Sequence, residues 1–306
     1  MMNPVHVLER LTLTAALGLA FRDTATGERV GAGLNVEVYR KSLPRVRATA
    51  LPNASGVYVL HEAPGLHASR FGAGDDEFWA AQPELPGFVV EVSDSERRFL
   101  PFSFEVELFQ RGVYNFDSPL AASSPPEPAT VPLYSAATRK APPGFAAVRA
   151  ELWDADADAP AAWAVVEARA AGHLAARGLS DEGGRLALLF PYPAPARMIV
   201  SSPPGSPPVF GGLPLVRQEW EVSLAAGYTG ELSRPAAARF PDLRLTLGQL
   251  NGAAASLWAD RAGGEELSRV TLRYGRELVL RTESFASLSP PAPQSALLIT
   301  PAGSPP

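Results

Sequence analysis

Period-two alternation, broken at short intervals by Gly, Pro, Asn and Asp, constrains this chain more than any other feature. Leu11, Leu13, Ala15, Leu17, Leu19 and Phe21 share one parity, with Thr12, Thr14, Ala16, Gly18 and Ala20 on the other. That is the pattern of a strand with one buried face. It recurs at Leu34, Val36 and Val38, over 45–51 and 57–60, and two further strands are expected at 88–92 and 100–108. Between them lie Asp23-Thr24-Ala25-Thr26-Gly27 and Pro52-Asn53-Ala54-Ser55-Gly56, residues suited to tight turns. Strands at roughly ten-residue spacing with such turns predict an antiparallel sandwich. The 31 prolines and 26 glycines among 306 residues fit many turns, and fall short of the roughly 25–30% that marks low-complexity disorder. A short helix is expected at 75–81.

The stretch 11–20 is also apolar enough for a signal-peptide core. However, Glu9 and His6 spoil the basic lead-in and no small-x-small site precedes Phe21, so a strand is predicted there. No segment reaches the roughly 18 uninterrupted apolar residues of a membrane helix.

The second half repeats the first in outline. Residues 147–154 form a strand ending in Asp154, and an acidic turn runs to Pro160. A strand at 163–168 follows, then Ser180-Asp181-Glu182-Gly183-Gly184 opens a strand at 185–190. Strand, Asp turn, strand, Asn/Asp–Gly turn, strand thus occurs twice, about 130 residues apart. The expected organisation is all-β: a β-sandwich domain at 1–116, a Pro-rich linker at 117–143, a second sandwich at 144–233 and a β-rich C-terminal extension or arm at 234–306. Within that extension, Leu243, Leu245 and Leu247 read as a strand. Residues 267–274 and 277–281 read as a hairpin around Gly275-Arg276. Residues 296–300 read as an edge strand, or an arm that pairs with a neighbour. Trp220, Val222 and Leu224 alternate and complete the second sandwich.

Chemistry-bearing motifs are scarce. A net charge of −5 argues against nucleic acid or an anionic membrane as the main partner. The chain has no cysteine, which excludes disulfides, thiolate metal sites and a cysteine nucleophile. His61-Glu62 and His67, upstream of Asp75-Asp76-Glu77, match no metal-ligand spacing, and His6 and His173 stand alone. Asp154, Asp156 and Asp158 are spaced like the first three ligands of an EF-hand, but Ala159 stands where that loop needs Gly and Val165 where it needs a bidentate Glu. An acidic turn is the simpler reading. There is no G-x-S-x-G elbow, P-loop or strand–GxGxxG–helix unit. The expectation is therefore no catalytic residue, no cofactor and no metal. Aromatics are the remaining lead. Phe78 and Trp79 follow an acidic, Gly-rich stretch in an insertion between strands, and are candidate interface anchors. Trp79, Trp153 and Trp258 could meet a sugar, but form no paired platform in the sequence.

The motifs Phe21-Arg22-Asp23-Thr24-Ala25-Thr26-Gly27 with 53–60, and Leu152-Trp153-Asp154 with 180–189, resemble those of carboxypeptidase-regulatory-like, transthyretin-like sandwiches. The second copy has Asp158-Ala159-Pro160 where the first has Thr-Gly, a looser match. A narrower likeness is carried by Phe78-Trp79, 87–92, 98–102, 111–115 and the run from Gly178 to Pro193. Together these are similar to such module-bearing proteins that accompany phage-tail-like contractile injection particles. The resemblance implies two tandem antiparallel transthyretin/Ig-like sandwiches. It also implies a non-enzymatic cap, collar or baseplate accessory role, with sheath, tube, cap or baseplate subunits as partners in an oligomeric assembly. It implies no nucleic-acid partner and no membrane insertion. Assembly would be cytoplasmic, with release as part of an extracellular particle. A standalone carbohydrate-binding sandwich at a cell surface is the alternative.

Overall fold

The structure is a computed structural model that describes residues 15–62, 87–108, 113–116, 130–195, 198–200, 209–211, 214–230, 234–235, 237–259, 266–281, 296–302 and 306. Among these residues the chain is all-β except for one α-helix and one 3-10 turn. The first half holds β1 (Leu17–Leu19), β2 (Phe21–Asp23), β3 (Leu34–Arg40), β4 (Arg47–Pro52), β5 (Tyr58–Leu60), β6 (Gly87–Asp94), β7 (Phe102–Glu107) and β8 (Val131–Leu133). Six of these form an antiparallel sheet in the order β1-β5-β4-β3-β6-β7. Its inner face takes one parity from each strand: Val36 and Val38, Val90 and Val92, Phe102 and Phe104 are all buried. Each such side chain contributes about 1.5–3 kcal/mol on burial. Residues 11–14 of the strand expected at 11–21 lie outside the described residues, and the rest breaks at Ala20, because its two described pieces take different partners: β1 pairs with β5, whereas β2 runs parallel to β8.

The second half holds β9 (Phe145–Asp154), β10 (Ala159–Pro160), β11 (Val165–Ala170), β12 (His173–Leu179), β13 (Arg185–Pro191), β14 (Met198–Val200), β15 (Val209–Gly211) and β16 (Glu219–Gly227). Further on come α1 (Leu243–Gly252), β17 (Ala254–Trp258), β18 (Arg269–Arg273), β19 (Leu278–Leu280) and β20 (Leu297–Pro301). The pairing repeats the first half: β3 lies between β4 and β6, β11 between β12 and β16, and β1 pairs with β5 as β9 does with β13.

Three expectations need correction. Leu243, Leu245 and Leu247 lie in α1, not in a strand: Asp242 caps it by accepting from the Leu245 N–H at 3.0 Å, Leu243 and Leu247 are buried and Leu245 is exposed. That is a helical period sampled at positions that also alternate. Residues 267–281 do supply two strands, but β18 pairs with β16 and β19 runs parallel to β9, so they are not a hairpin. The C-terminal strand is neither an edge nor a donated arm. β20 sits between β9, in parallel, and β17, antiparallel, with Leu297, Leu298, Ile299 and Thr300 all buried.

Packing also crosses the expected boundaries. β8 lies inside the span read as a linker, and Val131 and Leu133 are fully buried. The core built on residues 16–134 takes in Trp163, Val165, Leu179, Leu243 and Leu247 as well. A second core gathers β9, β11, β13 and β16 with Leu257, Leu272, Leu280, Leu297 and Ile299.

Candidate functional site

One local device occurs three times, and two of its copies line the site. Asn53 Oδ1 accepts from the backbone N–H groups of Ser55 and Val57 at 2.9 and 3.0 Å, and the Gly56 N–H closes on the Asn53 carbonyl with Gly56 at φ +72°. Asp181 does the same: its Oδ1 accepts from Gly183 and Arg185, both at 2.9 Å, and Gly184 closes the turn at φ +75°. The third copy follows β6. Asp94 accepts from the N–H groups of Glu96 and Arg98 at 3.3 and 2.6 Å, and the Arg97 N–H bonds the Asp94 carbonyl. Here Arg97, at φ +56°, occupies the left-handed position that glycine holds elsewhere, a backbone state that L-residues avoid.

The second and third turns face each other across a cleft of about 430 Å³. Phe99, Leu100, Pro101, Trp163 and Phe240 make it largely apolar, and Asp94, Arg97, Asp181, Glu182 and Arg185 supply its charges. Its size and mix suit a binding site. Trp163 is 2% exposed and also left-handed, at φ +63°. Its neighbours hold it there: Gln249 Nε2 donates to the Trp163 carbonyl at 3.2 Å, Ala164 N–H donates to Ser180 Oγ at 2.8 Å, and Ser180 Oγ donates to the Ala161 carbonyl at 2.6 Å. Strain kept in place by its surroundings is characteristic of functional clefts.

Two of the cleft's carboxylates, Asp94 and Asp181, are committed to the fold. Burial opposes ionisation of Asp94, but the Arg98 guanidinium and the N–H groups of Arg98 and Glu96 outweigh it and hold its carboxyl below the usual range. Arg185 Nε reaches Asp181 at 3.2 Å. Phe99, on the cleft wall, has two guanidinium groups against its ring, Arg139 at 4.8 Å and Arg98 at 5.3 Å from the centroid. Arg139 in turn holds Asp23 through two bonds, at 2.9 and 2.5 Å. Burial also works against Asp23, yet Arg139 and the Ala25 N–H keep its carboxyl low.

The residues singled out from sequence fare differently. Phe78, Trp79 and His67 lie outside the described residues. Asp154 closes a turn by accepting from Asp156 and Ala157 N–H groups at 2.9 and 3.0 Å, and Asp158 accepts from Trp153 Nε1 at 3.1 Å. Asp158, at φ +50°, stands where the first copy has Gly27 at φ +74°. Among the described residues no group of three or more His, Asp or Glu is placed to hold a metal ion, and no helix is long and apolar enough to cross a membrane. The cleft residues Arg97, Phe99, Trp163 and Phe240 were missed. Only Asp94 with Arg98, an Asx turn without its glycine, carried a sequence signal. No family model matches the chain, and no curated protein or solved structure does either.

Proposed function

We propose that this protein is a non-enzymatic structural component of a phage-tail-like contractile injection particle. In this reading it is a cap, collar or baseplate accessory protein that binds neighbouring subunits. The two similar ladders are then copies of one transthyretin/Ig-like sandwich module, each a rigid platform for contacts. The observation that carries this is the cleft: an apolar floor presented by hydrogen-bonded turns, with Asp94 and Asp181 engaged by their own backbones. Groups fixed in this way position a partner's side chain better than they transfer protons. The resemblance of the Asp and Asn turns to carboxypeptidase-regulatory-like modules supports the same reading.

The test is affinity purification of the tagged full chain from its native host, followed by negative-stain microscopy of the eluate. Tubular or sheathed particles carrying the tag are expected. A lone protein with no particle overturns the proposal.

A further inference from the structure

Of the charged side chains at the cleft, Asp94, Asp181 and Arg185 are answered within the protein. Asp94 accepts the N–H groups of Glu96 and Arg98 together with Arg98 Nε at 3.0 Å and Nη2 at 3.1 Å. Asp181 accepts the N–H groups of Gly183 and Arg185 and also Arg185 Nε, so this acid and this base cancel. Arg97 and Glu182 are unspent. Both are exposed, both line the cleft, and neither side chain makes a hydrogen bond or ion pair among the described residues. One stands on each of the two facing turns. The cleft therefore presents a free cation on one rim and a free anion on the other, with Phe99, Leu100, Pro101, Trp163 and Phe240 between them.

A free charge on a turn is ordinary, because water answers it. Arg97 differs in its backbone: it holds φ +56° at the place where Gly56 and Gly184 stand in the other two turns. A side chain kept at that cost is expected where it serves contact.

The wall at Ala136, Ala137 and Thr138 shows the class of occupant. The Arg139 N–H closes a turn on the Ala136 carbonyl at 3.0 Å, and the two central N–H groups, of Ala137 and Thr138, donate to nothing among the described residues. Arg149 steadies this wall by donating to the Ala137 and Arg139 carbonyls. Neutral backbone donors beside an apolar floor match the carbonyls and side chains of a polypeptide.

We infer that the cleft binds an extended polypeptide segment whose apolar side chains are flanked by an acid on the Arg97 side and a base on the Glu182 side. The apolar side chains lie against Phe99, Trp163 and Phe240, and Ala137 and Thr138 donate to the segment's carbonyls. Arg97 and Glu182 set specificity, since charges at a rim fix register and reject wrong partners more than they add affinity. The inference rests on reading the cleft as the place where a partner binds.

Fluorescence anisotropy of the full-length protein with labelled peptides tests it. Each peptide carries leucine–phenylalanine at its centre, flanked by an acid and a base, by two acids, by two bases or by two serines. At low salt the mixed-charge peptide should bind tightest, and neutralising either flank should weaken binding by roughly threefold to fivefold. High salt should level the four. Arg97→Glu should move the preference to the two-base peptide and Glu182→Arg to the two-acid peptide. Both positions are exposed and Arg97→Glu keeps a side chain at the left-handed position, so melting should stay at the wild-type value. If a reversal unfolds the protein, Arg97→Gln and Glu182→Gln replace it, and each should abolish the preference at its own flank. Equal binding of all four peptides, or preferences that neither reversal moves, overturns the inference while leaving the cleft a binding site. Absence of binding by every peptide overturns it too, and recovery of particles by the tagged chain then decides the injection-particle reading separately.

Discussion

Glu37 on β3 and Glu167 on β11 hold the same station in the two similar ladders, yet they are stabilised differently. Glu167 faces Arg177 on β12 and Ala225 on β16. Arg177, at 2.5 and 2.9 Å, and Arg169, at 3.0 Å, satisfy it from the same and the next strand. Glu37 faces Thr49 on β4 but Glu91 on β6, and like charges directly across a ladder repel. Two arginines resolve this. Arg47 Nη1 donates to Glu37 at 2.9 Å and to Glu91 at 2.7 Å; Arg239 reaches Glu37 at 2.5 Å and Glu91 at 2.7 Å, and adds its backbone N–H at 2.8 Å. Burial pushes the Glu91 carboxyl up, but Arg47 and both donors of Arg239 outweigh it and hold it low. The neighbouring Tyr39 phenol is pushed up to about 12 by its own burial and by Glu91. The second ladder therefore neutralises its buried carboxylate locally. The first is completed by a residue far along the chain, whose segment also accepts from Ser103 through the Phe240 and Pro241 carbonyls. The two halves share a pattern but are not independent.

The turns show the contrast most sharply and give the largest expected effect. Gly56 and Gly184 are equivalent and both left-handed, but a Cβ on Gly184 would be driven into the Leu152 carbonyl oxygen, whereas one on Gly56 meets the Gly31 Cα at 3.1 Å. Gly184→Ala should cost about 3–5 kcal/mol, combining left-handed strain with backbone displacement, and Gly56→Ala about 1–2 kcal/mol. Urea unfolding of the two variants measures the difference. Equal losses would mean that the turns are packed alike.

Removal of Arg239 comes next. Arg239→Ala leaves Glu37 and Glu91 sharing Arg47 and should destabilise by about 3 kcal/mol, while Arg169→Ala on the second ladder should change stability by less than about 1 kcal/mol. Adding Glu37→Gln to Arg239→Ala should recover part of the loss, because the repulsion goes with it. A double-mutant cycle with no coupling would break the comparison.

Acid should act through the same groups. Glu91, Asp23 and Asp94 all have carboxyls held below their ordinary values. The unfolded chain therefore binds more protons between the two ranges. Their stabilisation is complete above the unfolded values near 4 and is lost as pH falls through the lower folded ones. Asp242 runs the other way, since burial lifts its carboxyl despite the N–H groups of Leu245 and Arg244. Melting followed between pH 6 and 2 should show a steep acid loss. Glu91→Gln should make it shallower, because it removes one of the carboxyls held low.

Much of the fold was legible because it is local. Alternation located the strands near 34–40, 145–154 and 185–191, and Asn53 and Asp181 announced their turns through the glycine three residues on. What was illegible depends on partners distant in sequence. Leu243, Leu245 and Leu247 alternate whether in strand or helix, and Asp242 as a cap was the only signal separating the two. Residues 296–300 look like a free end until β9 and β17 close on both sides. The cleft joins residues 93–101, 136–138, 163, 181–185 and 240, which no motif spacing can bring together. Its turn at 94–97 was passed over because arginine stands in the glycine position.

That arginine gives the smallest effect and the most direct link to binding. Arg97 is left-handed where Gly56 and Gly184 are glycine, and it is exposed on the cleft. Relief of the strain by Arg97→Gly should stabilise the fold, but the glycine also gives the unfolded chain more freedom, so the net gain should be about 0.5–1 kcal/mol. A strained residue retained without a structural need is expected where its side chain serves contact. Arg97→Gly should therefore raise the unfolding midpoint while reducing recovery of particles by the tagged protein. Arg185→Gly, which removes a neighbouring cleft guanidinium from an unstrained strand position, should reduce recovery without the stability gain. If Arg97→Gly stabilises and recovery stays at wild-type levels, the strain at the third turn has no role in binding, and the cleft loses its claim to be where the partner sits.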